Sequence, residues 1–214
     1  MTVAVREAIA LSHKTRSPEL FFNGDSVSVD DMTQEEPSSL KLDLSDLSRG
    51  LPAITPAFGE TLAEAAAICL VEQEHLPGVE LKVEGEFNAT FQLWWPEVTD
   101  QMRRCWNDQD YTTEQAAYGI ALMVVQHLTD LVVVERSIRG TGFDYWLGKR
   151  RESDSIPFEK AVRLEVSGIR SGNRSQILTR VKLKKEQVKP TDALAPAYII
   201  VVEFSQPLAR IIKR

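Results

Sequence analysis

An α/β fold is the expectation for this chain of 214 residues: a mixed central sheet flanked by helices over residues 111–214, preceded by an α+β N-terminal extension. Three observations carry it. Ile120, Leu122, Met123, Val125 and Leu128 recur at helical spacing and fill much of one helix surface. Three β-branched or apolar runs follow it, at Leu131–Val134, Ala161–Ile169 and Ala197–Phe204. Between the last two lies Ile177–Val188, where apolar residues are spaced by lysines in a pattern closer to helix than to strand. Alternating helices and strands of this kind build layered α/β domains.

Residues 1–57 read as an acidic arm or small sheet: Phe21 to Val29 suggests a strand around an Asn-Gly turn, and Leu40, Leu42, Leu44 and Leu47 begin as an alternation. Residues 58–110 add a helix and a β-hairpin. Thr61–Leu70 is rich in helix formers and is stopped by Pro77-Gly78. Val79, Leu81 and Val83 alternate with charges, and Phe87–Trp95 supplies the second strand, ended by Pro96. Trp94 and Trp95 are expected in the core or at a subunit contact, and Thr99–Trp106 as a short helix. In residues 111–214, Thr113 reads as the N-cap of the apolar helix. Asp130 breaks that helix before a strand at Leu131–Val134, and Gly140-Thr141-Gly142 turns the chain into a strand at Phe143–Leu147. Lys149–Pro157 is a charged connection, Ala161–Ile169 a third strand and Ser171-Gly172-Asn173 a loop. Pro190 ends the following helix. Ala197–Phe204 is apolar enough to be covered on both faces, and Leu208–Ile212 is expected at the sheet edge.

Composition narrows the function classes. Hydrophobic residues make up 43% and charged residues 26%, ordinary for a globular protein. Cys69 and Cys105 form neither a disulfide framework nor a zinc cluster, so two reduced thiols in a cytoplasmic protein are expected. Met1–Ala10 is too short and polar for a signal peptide, and no apolar run approaches a bilayer span. The net charge of −6 is uneven: residues 1–134 carry 8 Lys/Arg and 22 Asp/Glu, residues 135–214 carry 17 and 9. The basic half is expected to meet nucleic acid, with DNA foremost, and the acidic half a protein partner or a second copy of the chain. The alternative is that the two halves simply attract each other.

Two acids stand out. Asp144 lies just past the glycine turn between Phe143 and Tyr145, and Glu165 lies between Leu164 and Val166. Apolar strands offer a carboxylate no easy structural role, although Glu165 has Arg163 and Lys160 as candidate ion-pair partners. Period two puts Arg163, Glu165 and Ser167 on one strand face. Two carboxylates on stiff supports can share Mg²⁺ or Mn²⁺, which prefer hard oxygen ligands and keep several waters. His127 reads as a core histidine, His13 and His75 belong to no constellation, and there is no Walker-type loop.

The order helix, strand, glycine turn, strand with Asp144, strand with Glu165, helix, strand resembles the core of the PD-(D/E)XK nuclease-like superfamily, over about residues 111–214. The resemblance implies a restriction-endonuclease-like core. It implies that Asp144 and Glu165 bind Mg²⁺ or Mn²⁺ and that Glu114, from the leading helix, supports the metal. Glu114 reads equally as a first-turn acid favoured by the helix dipole. The activity implied is hydrolysis of DNA phosphodiesters, in restriction or antiphage defence. The family's lysine two residues after the second acid is missing: Ser167 stands there. Either Lys182 or Lys184, from the following helix, or Arg163, on the same strand face, takes over its catalytic role, or the site is silent and the fold serves as a binding or assembly subunit. Arg174, Arg180, Lys182, Lys185 and Lys189 form a basic run that either grips nucleic-acid phosphates or is a solvated helix face, and Gln187 is a further candidate near the site.

Overall fold

In the computed structural model, residues 40–149 and 159–214 are described. Their strands form one sheet: β1 (Leu40–Asp43), β2 (Val79–Gly85), β3 (Ala89–Trp94), β4 (Leu131–Arg136), β5 (Tyr145–Lys149), β6 (Val162–Ile169), β7 (Ala197–Glu203) and β8 (Leu208–Lys213). The spatial order is β1-β3-β2-β8-β7-β6-β5-β4. The sheet is mixed. β1 runs parallel to β3, β2 to β8 and β6 to β7, while the β2–β3, β7–β8, β5–β6 and β4–β5 pairs are antiparallel. The α/β class is therefore correct. β8 is not an edge strand: the β2–β3 hairpin pairs along it from the far side. The extension thus continues the same sheet.

Among the described residues four helices accompany the strands: α1 (Pro56–Glu72), α2 (Asp100–Cys105), α3 (Gln109–Leu128) and α4 (Arg174–Val188). α1 starts where the Thr55 side chain accepts the Phe58 amide, with Pro56 preset at the first position. α2 is capped by Thr99 in the same way. α1 packs on α3, whose residues from Thr112 to Val125 are almost all buried between α1 and the sheet. α3 begins earlier than the Thr113 cap implied. Asp108 is the N-cap and accepts from the Asp110 and Tyr111 amides at 3.1 Å, while the Thr113 hydroxyl donates back to Gln109 within the helix. Glu114 therefore lies beyond the first turn, and the dipole account of it lapses.

α4 covers the opposite face. β7 is buried along its whole length because it serves both layers. Tyr198, Ile200 and Val202 join the core under α1 and α3, whereas Val201 meets Ile177 and Val181 of α4, and Ile199 packs with Val188. β6 divides likewise: Leu164 and Val166 enter the main core, and Arg163, Glu165 and Ser167 face α4. A 3-10 turn, Lys189–Thr191, carries the chain past Pro190. Within residues 1–57, the strand among the described residues is Leu40–Asp43, with Leu44 and Leu47 buried in a 3-10 turn. The expectations at Phe21–Val29 and at most of Lys149–Pro157 lie outside the described residues. No helix among the described residues is long and apolar enough to cross a membrane.

Candidate active site

The sheet brings Asp144 and Glu165 together through pairing of β5 with β6. The strand begins at Tyr145, one residue after Asp144, but the Asp144 amide already donates to Leu164 O at 2.8 Å. Its side chain turns back across β6: Oδ2 accepts the Val166 amide at 2.8 Å, and Oδ1 accepts the Tyr118 hydroxyl at 2.9 Å. The same hydroxyl lies 3.0 Å from Glu114 Oε1. A phenol has one hydrogen, so it serves one of these two carboxylates at a time. Glu114 and Tyr118 are four residues apart on α3 and share a face.

Glu165 is 1% exposed. Its Oε1 accepts Lys184 Nζ at 2.5 Å and Gln187 Nε2 at 3.0 Å, and its Oε2 is buried with no hydrogen-bond partner among the described residues. Burial, and after it the negative charge of Asp144, pushes the Glu165 pKa up to about 7 against the opposing pull of Lys184. Asp144 is raised as well. Burial is the main cause and Glu114 adds to it, while the Val166 amide, the Tyr118 hydroxyl and Lys184 hold it down. Burial, with Asp144 and Glu114 nearby, also raises the Tyr118 pKa, so the phenol keeps its proton.

Two glycines let these elements close. A Cβ on Gly168 would stand 2.4 Å from Thr113 O, so only glycine lets β6 approach the start of α3. Gly142, at φ +82°, holds the turn before Asp144 against the end of α4, where a Cβ would meet Gln187 O at 2.5 Å. The result is a cavity of 530 Å³ whose lining includes Glu114, Tyr118, Asp144, Glu165, Arg180 and Lys184.

Lys184, not Lys182, reaches the acids; Lys182 is exposed and does not line the cavity. Arg180 takes up the position opposite Ser167, donating from Nη1 to Ser167 Oγ at 2.8 Å and to Gly168 O at 3.2 Å. Arg163 leaves the site. It is 1% exposed and binds Ala195 O, Val188 O, Thr191 Oγ1 and Asp192, which fastens the chain after α4. Lys160 pairs with Glu135 instead of Glu165. Of the remaining basic run, Arg174 lies 3.5 Å from Glu84, Lys189 lies 3.5 Å from Glu186, and Lys185 is half-buried; none of the three lines the cavity. Tyr118 was missed by sequence reasoning, its one signal being the four-residue spacing from Glu114. His127 is not a core histidine: it is exposed in the last turn of α3, bonded to Met123 O and set edge-on to Phe91.

Among the described residues no three His, Cys, Asp or Glu side chains form a metal cluster. The pair still fits a hard divalent ion. Its donors are carboxylate oxygens, one of them buried without a hydrogen-bond partner among the described residues. Mg²⁺ needs only one or two carboxylates when waters and substrate oxygens complete the shell. Comparison of the chain with models of known protein families, with curated proteins and with solved structures found no match.

Proposed function

We propose that this chain is a divalent-metal-dependent phosphodiesterase acting on DNA, with a restriction-endonuclease-like core of the PD-(D/E)XK kind. The observation that carries the reading is the convergence of Asp144 and Glu165 in one cavity with Lys184 on Glu165. The order α3, β4, β5, β6, α4, β7 supports it. Asp144 and Glu165 would hold Mg²⁺ or Mn²⁺, with Glu114 at the cavity wall sharing the Tyr118 hydroxyl with Asp144. The bound ion would polarise a phosphoryl oxygen and lower the pKa of a water. The Val166 amide and the Tyr118 hydroxyl fix the Asp144 carboxylate in one orientation. Lys184 takes the part of the absent motif lysine and places positive charge where the transition state becomes more negative. Restriction or antiphage defence is the context the resemblance implies.

A second reading has two observations in its favour. Lys184 and Gln187 both spend Glu165 Oε1, and Ser167 carries no charge, so the fold would then be a silent binding or assembly subunit. Nicking of supercoiled plasmid DNA decides between them. The proposal expects Mg²⁺- or Mn²⁺-dependent nicking by the wild type and none by Asp144→Asn or Glu165→Gln. No nicking by the wild type, or unchanged nicking by both variants, favours the silent subunit or removes these residues from the mechanism.

A further inference from the structure

We propose that Arg180 binds the phosphate next to the one under attack, so that the site takes a nucleotide strand bearing two successive phosphates. This rests on the phosphodiesterase reading and names its substrate more closely. Three cations line the cavity. Arg170 is committed to Glu72 and donates also to Thr113 and Cys69. Lys184 is committed to Glu165. Arg180 meets only neutral acceptors among the described residues, and both use the same nitrogen. A guanidinium carries five N–H donors in a fixed fork, so Nε and Nη2 have no partner among the described residues. A half-buried cation without a counterion favours an anion, and phosphate suits the fork bidentately.

Its place follows from the register of α4 against β6. Val188 O meets Arg163, Lys184 meets Glu165, and Arg180 meets Ser167. Each step takes two residues forward on the strand, about 7 Å, and four residues back on the helix, about 6 Å. The helix is held in this register by Ile177 and Val181 against Val201. Arg180 therefore stands one step along the sheet from the Glu165–Lys184 pair, a spacing like that of neighbouring phosphates on a strand. Ser167 and Gly168 O tether one edge of the guanidinium and leave the other edge for the ligand.

The test is calorimetric titration with thymidine 3′,5′-bisphosphate and thymidine 5′-monophosphate, each with Mn²⁺ and again in EDTA. The wild type should bind the bisphosphate about 10- to 100-fold more tightly than the monophosphate. Arg180→Ala should lose that preference, and Arg180→Lys should recover part of it, because the charge returns without the fork. Thermal melts of both variants check that the fold is kept. A preference that survives in Arg180→Ala, an equal weakening of both nucleotides, or no preference in the wild type overturns the proposal. The EDTA arm separates it from the metal reading: an Arg180-dependent preference there, in a chain that binds no Mn²⁺, would retain the anion site and remove the metal.

Discussion

Glu165→Gln should flatten the pH dependence of stability. In the unfolded chain Glu165 titrates near 4.5, and in the fold near 7. Below the unfolded value the proton is on in both states and the fold has its full stability. As the pH rises through the folded value, the native state must carry a buried charge beside Asp144, and stability is lost. The whole interval corresponds to about 3 kcal/mol, of which about 2 to 3 kcal/mol falls between pH 5 and pH 8. Glu165 is 1% exposed, so solvent screens little of this. Asp144 shifts in the same direction and interacts with Glu165, so the difference between wild type and variant reports Glu165 together with its effect on Asp144. Glutamine keeps the size and can still accept from Lys184. Urea unfolding in EDTA at the two pH values gives the free energies. The wild type should lose about 2 to 3 kcal/mol more than the variant from pH 5 to pH 8, and parallel losses would refute the electrostatic account of the site.

Other outcomes test the supporting shell. Tyr118→Phe removes the donor on Asp144 Oδ1 and should weaken Mn²⁺ binding by about 10-fold or more, measured by calorimetry; unchanged affinity would mean that the hydroxyl does not orient the carboxylate. Gly168→Ala puts a methyl 2.4 Å from Thr113 O and should destabilise the fold by about 1–3 kcal/mol in urea unfolding; a neutral result would show that α3 can move off β6 freely.

Much of the fold was legible because its signals are local. The unbroken apolar run of β7 reflects burial on two faces, and Lys182 and its exposed neighbour Leu183 lie on the solvent side of α4. Asp144 and Glu165 were legible because an acid inside an apolar strand needs a reason to be there. The remainder depended on contacts between distant segments. Whether Lys182 or Lys184 meets Glu165 is set by the helix register on β6, which the sequence of α4 alone does not contain. β8 looks like an edge until β2, more than a hundred residues earlier, pairs with it. Arg163 shares a face with Glu165 but is drawn away by backbone carbonyls after α4. Thr113 has the chemistry of a cap, but Asp108 caps α3 first.

The most direct measurement is calorimetric titration of Mn²⁺ into the wild type, Asp144→Asn and Glu165→Gln. One ion per chain in the wild type, lost in both variants, is the result that two acids sharing a cation require. A wild type that takes up no Mn²⁺, or an Asp144→Asn variant that binds it just as well, would contradict the shared site.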